Sequence, residues 1–353
     1  MTRRNLKLGV VIAAMFVAAV GCEKRESAAT GDSETGSGGK VKVVYIPKNS
    51  GNPYFSDVIT GFEEASSQLG CEFTTVAPAT ADATSQIPMI KEQIQRKVNV
   101  IAISPNSPDA LNSVLDDARK AGIIVITVDA DLTGNESHRD ACVLPTDFTK
   151  VGSSQIELMG SQMKYEGEFA ILSATRDAPN QNAWIEGMKA ALKEAKYAKM
   201  KLVDIVYGDD EPQKSSTEAE ALFAKHPNLK GILSPTSVGL AAAAQSLQIA
   251  GLFPGGPSSK GGGIWLTGLS TPNQMKRFVE NGVVQSFQLW SPKAMGMLAC
   301  DLGVKLLQKK LKTDIGEEFD SLDHSTHTFG DNAVVFTGPL VTFDKANISE
   351  FDF

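Results

Sequence analysis

The chain has 353 residues, with 34 Lys and Arg against 41 Asp and Glu, a net charge of −7. An acidic chain lacks the positive footprint that phosphate backbones require, which argues against nucleic-acid binding; 42% hydrophobic and 21% charged residues describe a globular body. Four Cys exclude a disulfide scaffold, and four His argue against a multi-His metal centre.

Residues 1–21 read as a secretory signal. Arg3, Arg4 and Lys7 form a positive n-region, and residues 6–20 an apolar stretch too short to span a bilayer. Ala19-Val20-Gly21-Cys22 resembles a bacterial lipobox, with Ala19 where Leu is usual. That resemblance implies lipidation of Cys22; the alternative is a cleavable signal with an incidental cysteine. Arg3-Arg4 is too common a pair to assign the twin-arginine export route. Residues 22–40, rich in Ser, Gly and Thr, carry no apolar period and read as a flexible tether. Together these segments predict an extracytoplasmic body held to the membrane by its lipid alone. Cys71, Cys142 and Cys300 cannot all pair and lack CxxC spacing; inert thiols are the default, although an oxidising compartment permits one disulfide.

From residue 41 short apolar runs alternate with amphipathic segments, the pattern of βαβ units and a parallel sheet. A strand at 41–46 precedes a helix capped by Ser56 and stopped by Gly70, with Val58, Phe62, Ala65 and Leu69 on one face. Strand 73–76 leads to a helix with Ile87, Ile90 and Ile94, and Pro88 in its first turn. Strand 100–103 is followed by a helix from Ser107-Pro108 to about Ala121, then by the apolar strand 123–128. The alternation restarts after Asp147, with helix 150–164, strand 169–172, helix 184–196, strand 201–207, helix 216–225, strand 231–233 and helix 239–249. After a Gly/Pro-rich loop at 254–263 come strand 264–269, helix 272–281, strand 284–289 and helix 294–311. This number of repeats suits two doubly wound lobes. A (β/α)₈ barrel is the competing layout, disfavoured because the halves are of similar size.

In open α/β sheets ligands bind beyond the carboxyl ends of the strands. Here those ends carry Lys48, Tyr54 and Phe55; Asp129 and Asp131; Asn180 and Gln181; Pro235 and Ser237; and Trp290. Carboxylates and amides bind hydroxyls in pairs, and ring faces cover C–H surface, so the set suits a polyhydroxylated small molecule. Each member has a structural reading as well. Lys48 and Asp129 could form an ion pair, Asn180-Gln181-Asn182 a helix cap before Trp184, Tyr54 or Phe55 a staple for the first helix, and Trp290 part of the core. Asp323, His324 and His327 have metal-like spacing in a loop but lack a further His or Cys partner. No G-x-S-x-G elbow borne on a strand and no P-loop occurs, and Gly261-Gly262-Gly263 precedes a strand, so nothing calls for catalysis, a metal or a cofactor.

The body resembles the type I periplasmic binding proteins of ABC importers, and most nearly their rhamnose-binding and autoinducer-2-binding subgroup. The residues that carry the likeness are Ile46-Pro47-Lys48, Val128-Asp129-Ala130-Asp131, Gln181-Asn182, Ser234-Pro235, Ser270-Thr271-Pro272-Asn273, Leu289-Trp290 and the ending Phe351-Asp352-Phe353. Simple pentose and hexose binders usually have Asp where Ser270 stands. The resemblance implies two lobes joined by three crossings near Pro145, Ser270 and Trp290. Residues 41–146 and 271–289 would form the N-terminal lobe, and 147–270 and 290–353 the C-terminal lobe. It also implies a monomer that binds a small sugar, delivers it to an ABC permease and catalyses nothing. Lys48, Asp129, Gln181 and Pro235 match the autoinducer-2 pattern; Asn180 replaces its second Asp and Ser237 its Ala. Both departures move the pocket away from autoinducer-2 and are compatible with a rhamnose-like deoxyhexose, which is the favoured ligand. Autoinducer-2 uptake, or a sensor presenting ligand to a chemoreceptor or kinase, are the alternatives. A LacI-type regulator of the same fold would carry a helix-turn-helix where this chain has its leader.

Overall fold

The computed structural model describes residues 39–260 and 262–353, so the expected signal, Cys22 and most of the tether lie outside the described residues. Lys40–Phe353 forms one compact unit. In chain order its first part comprises β1 (Lys42–Ile46), α1 (Pro53–Leu69), β2 (Glu72–Thr75), α2 (Ile87–Gln95), β3 (Val100–Ile103), α3 (Asn112–Lys120), β4 (Ile124–Val128) and β5 (Ala141–Leu144). Then follow α4 (Phe148–Met163), β6 (Glu166–Ser173), α5 (Pro179–Ala191), β7 (Lys199–Tyr207), α6 (Pro212–Lys225), β8 (Leu229–Ser234), α7 (Ser237–Ala250), β9 (Trp265–Gly268), α8 (Pro272–Glu280) and β10 (Ser286–Leu289). The last part holds α9 (Pro292–Leu307), β11 (Glu318–Asp320), β12 (Thr326–Thr328), β13 (Val334–Phe336) and β14 (Val341–Asp344). No helix among the described residues is long and apolar enough to cross a membrane.

The N-terminal lobe is a parallel sheet in the order β2-β1-β3-β4-β5-β13. Its central strands are buried on both faces, as parallel sheets covered by helices must be. The C-terminal lobe is built on a parallel sheet, β7-β6-β8-β9. An isolated parallel bridge from Leu269 to Gln288 continues it to β10, which pairs antiparallel with β14. Both sheets are doubly wound, and their order reverses at β1/β3 in the first and β6/β8 in the second.

The lobes divide the chain differently from the sequence expectation. Residues 271–289 belong to the C-terminal lobe: α8 ties to α7 through Arg277 and Gln245 (2.7 Å) and to the chain end through Asn273 and Phe353 (3.0 Å), while β10 pairs with β14. Most of 290–353 returns to the N-terminal lobe. There α9 crosses α1 so closely that a Cβ on Gly61 would lie 2.0 Å from the Lys293 carbonyl oxygen, and one on Gly296 2.1 Å from that of Val58. β13 then adds to β5. The crossings therefore fall between β5 and α4, at Trp290, and between β13 and β14; Ser270 is not one.

Local differences have local causes. α1 is capped by Asn52, whose side chain accepts from the Tyr54 N–H (3.1 Å), with Pro53 inside the cap; Ser56 lies within the helix. Ser107 uses its hydroxyl on the Ala110 N–H (3.1 Å) in a turn, and α3 starts only at Asn112. α5 starts at Pro179, which puts Asn180 and Gln181 in its first turn.

Candidate ligand-binding site

The carboxyl ends of the two sheets face each other across a half-open cavity with about 40 Å³ of free volume. Of the predicted residues, Lys48, Tyr54, Phe55, Asp129, Asn180, Gln181, Pro235, Ser237 and Trp290 all line it. Four helices begin at its wall: α1 after Asn52, α5 at Asn180, α7 at Ser237 and α9 just past Trp290. Their positive ends offset part of the negative charge gathered there.

The polar groups form a hydrogen-bonded chain from one lobe to the other. Lys48 Nζ donates to Asn180 Oδ1 (2.7 Å), and Asn180 Nδ2 donates to Asp129 Oδ2 (3.0 Å). The Tyr54 hydroxyl donates to Asp129 Oδ1 (2.6 Å) and accepts from Trp290 Nε1 (2.8 Å). Lys48 Nζ stands 3.9 Å from Asp129 Oδ2. Burial lowers the Lys48 pKa against the pull of Asp129 and Asp210, and burial raises that of Asp129 despite Lys48 and the Tyr54 hydroxyl. Asp129 has φ +68°, a left-handed conformation uncommon outside glycine and best tolerated by Asn and Asp. The turn there is closed by the Ala130 N–H, which donates to the Val128 carbonyl (2.8 Å).

Two predicted residues have other roles. Asp131 does not line the cavity. Its carboxylate accepts from Arg139 Nε (2.6 Å) and Nη2 (2.5 Å), the Thr127 hydroxyl (2.7 Å) and the Leu132 N–H (2.8 Å). That buried fork holds β4 to the segment before β5, so its assignment as a ligand group is corrected. Gln181 does line the cavity, but both ends of its amide are used by the protein. Oε1 accepts from the Ser173 hydroxyl (2.9 Å) and the Ala174 N–H (3.1 Å), and Nε2 donates to the Pro235 carbonyl (2.9 Å). It braces β6 against β8.

Asn52, Trp184, Asp210, Thr236, Leu269 and Leu289 also line the cavity. Asn52 and Thr236 follow the ends of β1 and β8, where sequence reasoning looks for ligand groups, whereas Trp184, Asp210, Leu269 and Leu289 were missed. Asp210 was within reach of the same rule that found the others, because it follows the strand ending at Tyr207. Trp184, expected only as the start of a helix, packs on Trp290 with ring centroids 5.6 Å apart, and both rings are buried and line the cavity.

Comparison with known proteins agrees with this architecture. A protein of Clostridium phytofermentas described as an ABC transporter solute binding protein with bound L-rhamnose is 30% identical, over 88% of this chain and 98% of that one, with a TM-score of 0.83. A sugar ABC transporter from Actinomyces odontolyticus is 37% identical over 88% and 97%, with a TM-score of 0.69. The D-ribose/D-allose-binding protein of Pseudomonas aeruginosa is 25% identical over 201 residues, 55% of this chain and 62% of that protein's length. The family described as periplasmic binding protein domain matches residues 43–311, through both lobes and past the end of α9. A match of that extent, on two doubly wound lobes that meet at their carboxyl ends, makes this chain a member of the periplasmic binding protein domain family.

Proposed function

We propose that the chain is an extracytoplasmic binding protein that closes on one small neutral sugar, a rhamnose-like deoxyhexose, and delivers it to an ABC permease without chemical turnover. The observation that carries this reading is the set Lys48, Asn180, Asp129 and Tyr54. These groups come from both lobes and bond to one another across a single cavity. A sugar hydroxyl both donates and accepts, so it can enter such a chain at several points, while Phe55, Trp184 and Trp290 offer apolar faces to ring C–H groups. The 30% identity to a protein with bound L-rhamnose supports the deoxyhexose. Membership of the family supports action outside the cytoplasm, as does the leader read in residues 1–21. On this reading Cys22 carries a lipid, residues 22–40 let the monomeric body move at the membrane surface, and closure creates the face that the permease recognises.

Calorimetric titration of Lys40–Phe353 with L-rhamnose, and separately with autoinducer-2, tests the reading. Tight binding of rhamnose alone is the expected result. Tight autoinducer-2 binding would replace the sugar with signal uptake and make Asn180 and Ser237 tolerated departures. Conversion of ligand to product, followed by NMR, would overturn the binding-only role.

A further inference from the structure

The turn after β7 brings a second carboxylate to the cavity. The Gly208 N–H donates to the Ser173 carbonyl (2.9 Å) and the Asp209 N–H to that of Ala174 (3.1 Å), which fixes the turn to the end of β6. Asp209 and Asp210 both have φ +54°. This reversal sends the two side chains opposite ways: Asp209 pairs with Lys214 at the surface, whereas Asp210 is 7% exposed and lines the cavity. One Asp210 oxygen accepts from the Thr236 hydroxyl, and its other oxygen accepts from no described residue. Its backbone carbonyl accepts from Asn49 Nδ2 of the other lobe (3.4 Å).

We propose that Asp210 is a direct, specificity-determining ligand contact, which takes a sugar hydroxyl on the side of the C-terminal lobe and, with Asp129 opposite, bars anionic sugars. This rests on reading the cavity as a sugar site. The free oxygen is not sealed from solvent, so a hydroxyl of a neutral polyol can take the place of water as its donor. Lys48 is the one basic side chain among the described residues of the cavity wall, set against Asp129 and Asp210. A uronate or a phosphorylated sugar would add a third negative charge with no second cation to meet it. Burial acts on Asp210 as on Asp129, raising its pKa, while Thr236 and Lys48 oppose that rise.

The test is calorimetric titration of the full chain in detergent with L-rhamnose, D-ribose, D-allose and D-galacturonate. The wild type should bind at least one neutral sugar and bind galacturonate at least about a hundredfold more weakly. Asp210→Asn should lose about tenfold to a hundredfold in affinity for the neutral sugar and narrow the gap to the acid, a change in ratio that a purely structural role would not produce. Asp210→Gly, which suits the positive φ, should repeat the loss if the amide variant folds poorly. Asp209→Asn, on the outer side of the turn, should bind as wild type. If the wild type binds a neutral sugar and Asp210→Asn binds it equally well, or loses both ligands in the same proportion, the assignment of Asp210 falls alone. If the wild type binds none of the sugars, the assignment falls together with the sugar reading.

Discussion

Asp129 and Asp131 stand two residues apart at the end of one strand and do opposite work. Asp129 is buried with a raised pKa beside Lys48, so its charge is held at a cost to folding. Asp129→Asn keeps the shape and tolerates the positive φ. It should cost about 1.5–3 kcal/mol of sugar affinity by calorimetry at a temperature where the variant remains folded. Unchanged affinity would remove Asp129 from the site. Asp131 is paired bidentately with Arg139, and Arg139 holds its carboxyl below the usual range despite burial. Asp131→Ala leaves a buried guanidinium without its partner and should cost about 3–5 kcal/mol in a denaturant titration while affinity is retained. A group whose folded pKa is depressed contributes stability above its unfolded value, near 3.9. That contribution is lost as pH falls through the lower folded value. Asp131→Asn should therefore flatten the loss of stability below about pH 4; an acid limb as steep as that of wild type would argue against the pairing. Strand-end position brought both residues to attention in the sequence, but it could not separate them, because Arg139 reaches Asp131 only once β5 lies beside β4.

Among the elements, the crossing of α1 over α9 links the N-terminal core to the cavity. The two backbones meet at Gly61 and Gly296, and each helix starts at the cavity wall, with Tyr54 and Phe55 on one and Trp290 just ahead of the other. Gly296→Ala would force the helices apart against the Val58 carbonyl. It should cost about 1–3 kcal/mol, read by denaturant unfolding, and weaken sugar binding by moving Tyr54 relative to Trp290. No change in either quantity would show that the helices separate freely. The helices and most buried strands were readable from their periods and stops, since residues such as Val58, Phe62 and Ala65 repeat on one face whatever lies opposite. β5, with the short run Ala-Cys-Val-Leu, and β13, with Val-Val-Phe, were not. Strands this short have no period of their own and exist because an open edge of a sheet accepts them.

At the level of the whole molecule, two doubly wound lobes were legible, because a count of βα repeats is a local property summed over the chain. Which stretch belongs to which lobe was not, because residues 271–289 and 290–336 carry the same apolar patterning and only the pairing of β10 with β14 and of β13 with β5 sorts them. Neither lobe is continuous. A fragment of residues 40–146 lacks α9 and β13 and should show no cooperative thermal transition by near-UV circular dichroism. A sharp transition in that fragment would mean that the first lobe is complete without them. α1 ends at Leu69, whereas the helix that covers it begins at Pro292. In a chain made from its N-terminus, this early segment thus waits for a late one before it can bury that apolar face. The order of elements acts as a timer: the apolar face of α1 stays uncovered until Pro292–Leu307 has been made, which sets the earliest moment at which the first lobe can close.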